Sequence, residues 1–241
     1  MQNGVVVFKM GLGRGEFWNH AENISSTCQT LLGLNIVKLG DSKLHVFPVF
    51  ANSESVHLTV GVSGNIQAET QLKENSSQTL IIGASSNSKE DTFSFRNIGM
   101  LYPVAIGMDS GTTNVTIEEK GTDNETSIRA VQESVIQLDV VYFLKKVLKH
   151  DFYISIWFNT VFDELLDMLY LNGKFENHGI TACQINLMIN KKSTAKELLM
   201  NMISDRRYAV TVEQFDDYVN VYLINFDKTK CNKELILDES R

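Results

Sequence analysis

Between Ile36 and about Glu119 the chain runs as short apolar or alternating stretches, LHVFPVF, VHLTVGV, TLIIGA, TFSF, YPVAIGM and NVTIEE, broken by polar clusters. Period-two alternation rich in β-branched residues is the signature of strands, so a β-rich middle is expected. The connectors KENSSQ, SSNSKED and EKGTDNETS carry turn formers and read as surface loops rather than domain linkers. Pro48 and Pro103 are the two prolines in 241 residues, so little interrupts regular structure.

The flanks follow a different rhythm. Val5 to Met10 reads as a strand that ends in the glycine turn Gly11, Gly13 and Gly15. Phe17, Ala21, Ile24, Cys28, Leu31 and Leu32 then recur at helical spacing. Further on, Val141, Phe143, Leu144, Val147 and Leu148 suit a helix within 138–150, followed by a bulky strand over 152–158 and a helix over 162–170. Residues 180–189 alternate as a strand. Ser193 or Thr194 can cap a helix carrying Leu198, Leu199, Met202 and Ile203, and two strands over 208–212 and 218–224 precede a last element at 233–237.

A formal charge of −7 and pI near 5.3 oppose contact with phosphate backbones unless basic residues cluster. Lys145, Lys146 and Lys149, like Lys191 and Lys192, read instead as wet faces of elements. Cys28, Cys183 and Cys231 are odd in number and far apart, which predicts neither a disulfide framework nor a zinc site and suits a reducing compartment. MQNGVVVFKMGLGRG lacks the apolar core of a signal peptide, and no window approaches the ~18 apolar residues of a membrane span. The expectation is an intracellular chain without membrane contact. Asn23, Asn75, Asn114 and Asn124 stand in Asn-x-Ser/Thr triplets, which are then chance products of polar loops.

The two ends together resemble an extended Tudor domain, a Tudor barrel inserted into a staphylococcal-nuclease-like fold. VVVFKMGLGRGEFWNHAENISSTCQTLLGLN is similar to that family's opening strand, turn and connecting helix. LYLNGKFENHGITACQINLM, STAKELLMNMI, YAVTVEQFDDYVNVYLI and NKELILDES are similar to its closing half, with Ala182 on the strand after the Leu-to-Phe stretch. The family's Asp-Tyr-Gly-Asn signature falls on Ile156–Trp157–Phe158–Asn159, and its Trp-Tyr-Arg-Ala strand on Ser127–Ile128–Arg129–Ala130, both with departures. The resemblance implies an α+β fold, degenerate extended-Tudor-like, with OB/SN-like terminal halves. Residues 4–35 and 172–238 would pack together around a β-rich Tudor-like insertion, 36–171, within one domain over 1–241.

The same resemblance implies a non-catalytic protein-binding scaffold in germline Piwi-interacting RNA silencing, in cytoplasmic perinuclear granules, the nuage. Its partner would be a Piwi-type protein, with or without methylarginine, and RNA contact stays open. An aromatic cage attracts such a cation through its ring faces. Trp157, Asn159, Tyr102 and Tyr153 are the cage candidates, and core aromatics of a β-barrel are the alternative reading.

No catalytic residue, metal or cofactor is expected. GLGRG lacks the Lys and Ser/Thr of a phosphate loop, having Glu16 and Phe17 there. It resembles the turn of type 2 ribonuclease H, but Met10 and Leu12 stand where metal-anchoring carboxylates belong. Arg206 and Arg207 read as a helix end, Asp216 and Asp217 as a hairpin loop, and His20, His45, His57, His150 and His178 show no ligand spacing. Two alternatives remain beside the scaffold: a sliding-clamp-like DNA-associated subunit, and a metal-dependent ribonuclease related to ribonuclease H.

Overall fold

A computed structural model describes residues 17, 18, 21, 34–40, 42–49, 55–86, 94–120, 128–159 and 163–235; for 117–120, 128, 129, 163 and 164 only the backbone is described. The expected strand at 5–10 and its glycine turn lie outside these residues. The first hairpin pairs β1 (Ile36–Leu39) with β2 (Lys43–Val46). The strands β3 (Val56–Val60) and β4 (Leu80–Ala84) then lie side by side and parallel. A parallel pair needs a crossover between its strands. Here it contains helix α1 (Gln67–Asn75), which sequence reading passed over because Ala68 and Leu72 are its only aliphatic residues.

After β5 (Met100–Tyr102) and β6 (Ala105–Gly107), the long strands β7 (Gly111–Lys120) and β8 (Ile128–Asp139) form a hairpin. Asp139 ends it by accepting the Tyr142 N–H at 2.9 Å, which starts the helical segment α2 (Val140–Tyr142, continuing through a π-helical turn, Phe143–Val147). The remaining elements are β9 (Phe152–Tyr153), β10 (Ser155–Phe158), a 3-10 turn (Asp163–Leu169), α3 (Lys174–Asn177), β11 (Thr181–Ala182), β12 (Gln184–Ile189), α4 (Lys192–Asp205), β13 (Tyr208–Gln214), β14 (Val219–Asn225) and α5 (Thr229–Leu235).

Seven of these strands make one sheet in the order β13-β14-β12-β10-β3-β4-β5. β5, β4, β3, β10 and β12 are mutually parallel, and β14 runs antiparallel between β12 and β13. Starting from β3, the chain builds outward to β4 and β5, then returns to the other side of β3 with β10 and β12. This is a doubly wound sheet, with its switch point between β3 and β10.

Alternation sorts the side chains of the central strands onto two faces. On one, Val56, Leu58, Val60, Ile156, Phe158, Ile185 and Leu187 join Phe143 and Leu144 of α2 and Leu198, Leu199 and Met202 of α4 in a continuous apolar core. The other face carries His57, Thr59, Ser155, Trp157, Gln184 and Asn186, all buried. There Gln184 and Asn186 act as an extra strand edge for the first hairpin. Asn186 accepts from Leu44 N at 3.0 Å and donates to Leu44 O at 2.8 Å, while Gln184 does the same for Val46 at 2.7 and 2.9 Å.

This architecture corrects the barrel expectation. An extended Tudor domain encloses a barrel in its insertion, whereas here β3, β4, β5 and β10, all from 36–171, lie in the same open sheet as β12, β13 and β14. Parallel strands buried on both faces read as apolar runs, and with α1 overlooked those runs mimicked a meander. The continuous sheet likewise corrects the clamp reading. TFSF also departs from the strand pattern, since Ser94 and Phe95 are helical, and Phe95 is fully buried.

The cysteines depart from expectation too. Cys183, just before β12, and Cys231 in α5 form a disulfide between residues 48 apart in sequence, because α5 folds back onto the polar-laced face of the sheet. No helix among the described residues is long and apolar enough to cross a membrane.

Candidate functional site

Doubly wound sheets bind ligands outside the carboxyl ends of their strands at the switch point, where adjacent crossovers diverge and leave a crevice. Here one lip is the turn after β3. Gly61 adopts φ +80°, a left-handed conformation that glycine enters freely. This lets both Gly61 N and Val62 N donate to Ala84 O, at 2.9 and 3.1 Å. The chain then opens at Gly64, where a side chain would meet nothing within 4 Å. Asn65 Oδ1 accepts the Gln67 N–H at 3.2 Å, so α1 begins directly beyond the turn.

The floor beside this lip is the end of β4. A β-carbon on Gly83 would lie 2.7 Å from Val62 Cγ2 and 2.9 Å from Phe95 Cζ, so glycine permits the close seating of the turn. Ser85 donates from Oγ to Val62 O at 3.0 Å and from its backbone N–H to Tyr102 O at 3.1 Å. The opposite lip is Asn159, at the end of β10. Its N–H donates to Val60 O at 2.9 Å, while its Oδ1 is buried and without a hydrogen-bond partner. Next to it Phe158, Leu165, Leu166, Leu187 and Ile189 line a small apolar recess.

Behind the lips, a buried polar chain ties β10, β3 and α1 together. Ser155 Oγ lies 2.6 Å from His57 Nδ1, His57 Nε2 3.0 Å from Thr59 Oγ1, and Thr59 donates to Glu69 Oε1 at 3.0 Å. The proton order follows from valence. Thr59 spends its one proton on Glu69, so His57 donates from Nε2 and its Nδ1 accepts from Ser155. Burial, reinforced by His45 and Lys43 nearby, holds His57 well below its ordinary pKa and keeps it neutral. Burial alone lowers His45 to about 3, and it lowers Lys43 to about 8 against the pull of Glu69. Burial raises Glu69, with its backbone hydrogen bond, Thr59 and Lys43 opposing. The chain is sealed from solvent, so it fixes α1 and the glycine turn against β3 rather than meeting a ligand.

Of the residues singled out from sequence, Asn159 stands at the crevice. Trp157 is fully buried behind it, its ring 4.2 Å from His57 between centroids, in the cluster with Leu72, Ile81 and Phe95. Tyr153 is fully buried in the larger, opposite core, where its hydroxyl donates to Leu144 O at 3.3 Å. Tyr102, partly buried, packs edge-to-face on Phe143 at 5.4 Å. The three aromatic rings thus belong to two separate clusters. Among the described residues no group of three His, Cys, Asp or Glu side chains is placed to hold a metal, so nothing described supports the ribonuclease reading. Gly61, Gly64, Asn65 and Ser85 were missed by sequence reading. A β-branched run followed by G-x-x-G-N and a polar helix was the available signal.

No family model matches the sequence, and no curated protein matches it either. Solved structures resemble the fold. Human methyltransferase-like protein 13, in complex with SAH, superposes with a TM-score of 0.43 at 10% identity, over 74% of this chain and 75% of its own. A human methyltransferase 10 domain containing protein gives 0.43 at 9% identity, over 86% and 81%. Aeropyrum pernix fibrillarin, with natively bound S-adenosyl-L-methionine, gives 0.42 at 9%, over 72% and 68%. The open doubly wound sheet corrects the expectation of a Tudor-type fold, and the non-enzymatic scaffold in Piwi-interacting RNA silencing that was drawn from that resemblance falls with it.

Proposed function

We propose that the chain binds an adenosyl cofactor of the S-adenosylmethionine type at the switch-point crevice and acts as a methyltransferase-type enzyme. The observation that carries the reading is the doubly wound sheet whose switch point, between β3 and β10, meets a glycine turn and the start of α1. The structural neighbours supply only the cofactor's name.

The residues present suit such a nucleoside in part. Gly64 leaves open space for close approach of a ligand to the backbone, and the buried, unpartnered Asn159 Oδ1 can accept a hydrogen bond from a hydroxyl or amine. In dinucleotide-binding sheets an acid about 20 residues beyond the glycines holds the ribose. At that distance this chain has Ala84 and Ser85, and the Ser85 hydroxyl donates to Val62 O. The first turn of α1 carries Glu69 and no base, so a diphosphate would find no positive side chain there. This favours an adenosyl amino acid over a dinucleotide.

When bound, the cofactor supplies an electrophilic methyl group. The chain's own contribution is positional: the turn at 61–65 supports the ligand, Asn159 orients it, and Phe158 with Leu166 and Leu187 excludes water beside it. The test is calorimetric titration of the full chain with S-adenosylhomocysteine, and with NAD for comparison. Saturable binding of the former, weakened by Asn159→Leu and Gly64→Val without loss of fold, supports the reading. Absence of saturable binding, or a preference for NAD, removes it.

A further inference from the structure

Sequence reading took the Asn-x-Ser/Thr triplets as chance products of polar loops, on the expectation of an intracellular chain whose cysteines stay reduced. The structure changes that premise. Cys183 and Cys231 are both fully buried and joined, and a structural disulfide forms and persists in an oxidising compartment. Oligosaccharide transfer to asparagine belongs to the same class of compartment.

Two of the triplets lie within described residues, and both are presented at the surface. Asn75 is the last residue of α1, exposed, with Nδ2 donating to Gln71 O at 2.8 Å, and Ser77 two residues on is exposed as well. It sits at the end of α1 away from the glycine turn, so a glycan there leaves the crevice open. Asn114 and Thr116 are exposed on β7, an edge strand of the three-stranded sheet β6-β8-β7. Thr116 Oγ1 accepts from Gln132 Nε2 at 2.7 Å across the hairpin. Long exposed edges invite pairing with other chains, and a glycan at Asn114 would shield this one.

We infer that Asn75 and Asn114 are N-glycosylation sites of a domain that folds and is stapled in the secretory pathway. The donor is a polyprenyl-diphosphate oligosaccharide. The bond from Asn Nδ2 to the sugar C1 forms as the bond from C1 to the diphosphate oxygen breaks; polyprenyl diphosphate leaves and the amide gives one proton to a base. The inference does not depend on the proposed cofactor.

The experiment is mass spectrometry of the chain isolated from its own source, with thiols blocked before lysis and glycans released by peptide N-glycosidase in heavy-oxygen water. The expected result is aspartate carrying heavy oxygen at positions 75 and 114, with the Cys183 and Cys231 peptides linked until reduced. Asn75→Gln and Asn114→Gln should each remove one glycoform step on a gel while the chain remains folded. Unmodified asparagine at both positions overturns the inference, as do cysteines blocked without prior reduction.

Discussion

The two faces of the central sheet solve the same burial problem with different chemistry. One is predominantly hydrocarbon, with α2 and α4 lying on Leu58, Ile156, Phe158 and Ile185. The other buries His45, His57, Thr59, Glu69, Gln184 and Asn186 beside Trp157 and a disulfide. Apolar burial is non-directional and tolerates adjustment, whereas a buried polar group is favourable only in the one arrangement that satisfies it. The apolar face therefore supplies cohesion, and the polar face fixes where the first hairpin and α1 sit, which sets the position of the glycine turn.

The largest blow to this division should come from Trp157→Ala. It empties a fully buried site and uncovers both histidines, so a loss of about 3–5 kcal/mol is expected in urea unfolding followed by far-ultraviolet circular dichroism. A variant that keeps wild-type stability would show that this face is loosely packed. Next comes the disulfide. Closing a loop between residues 48 apart constrains the unfolded chain by about 4 kcal/mol in the chain-entropy model, so Cys231→Ser should lower stability by up to that amount. An unfolding midpoint that ignores this substitution would place the anchoring of α5 in Leu235 and its neighbours instead.

The faces should also respond differently to acid. His45 and His57 have folded pKa values below their unfolded value of 6.5, so their neutral forms contribute stability that is present above pH 6.5 and lost as pH falls toward the folded values, about 3 for His45. Each contributes a slope of about 1.4 kcal/mol per pH unit within that window. Glu69 acts in the opposite sense: its raised pKa favours the folded state at low pH and loses that advantage as pH rises through the folded value. His45→Phe, which removes two buried nitrogens that lack partners, should abolish about half of the histidine slope between pH 6 and 5. Urea midpoints across that range measure it, and an unchanged slope would assign the acid sensitivity elsewhere.

The apolar face was largely legible in the sequence and the polar one was not. Leu198, Leu199 and Met202 announced α4, and the clean alternation at 208–212 and 218–224 announced β13 and β14. α1 escaped because its partnership with β3 runs through Glu69 and Thr59 rather than through a wide apolar stripe. Without α1, β3 and β4 read as successive strands of a β-rich barrel-like insertion, and the doubly wound topology vanished with it. The crevice shared that fate. Gly61 was absorbed into the strand run VHLTVGV and Gly64 passed unnoticed, while Asn159 was noticed for a cage rather than for its unpartnered acceptor. Cys183 and Cys231 could not be paired by spacing, since only the return of α5 onto the sheet brings them together.

The smallest effect belongs to the apolar face, where helix α4 ends with local strain. Arg206, its C-terminal cap, adopts φ +58° and donates its N–H to Met202 O at 3.1 Å, a left-handed geometry that glycine enters without steric cost. The side chain is exposed, so removing it leaves no cavity. Arg206→Gly should relieve up to about 1 kcal/mol of that strain, offset in part by the greater freedom of glycine in the unfolded chain. A small rise in the urea midpoint with an unchanged slope is the expected outcome. A fall would mean that the Arg206 side chain holds the α4–β13 corner through contacts of its own, giving the apolar face a polar anchor like those opposite.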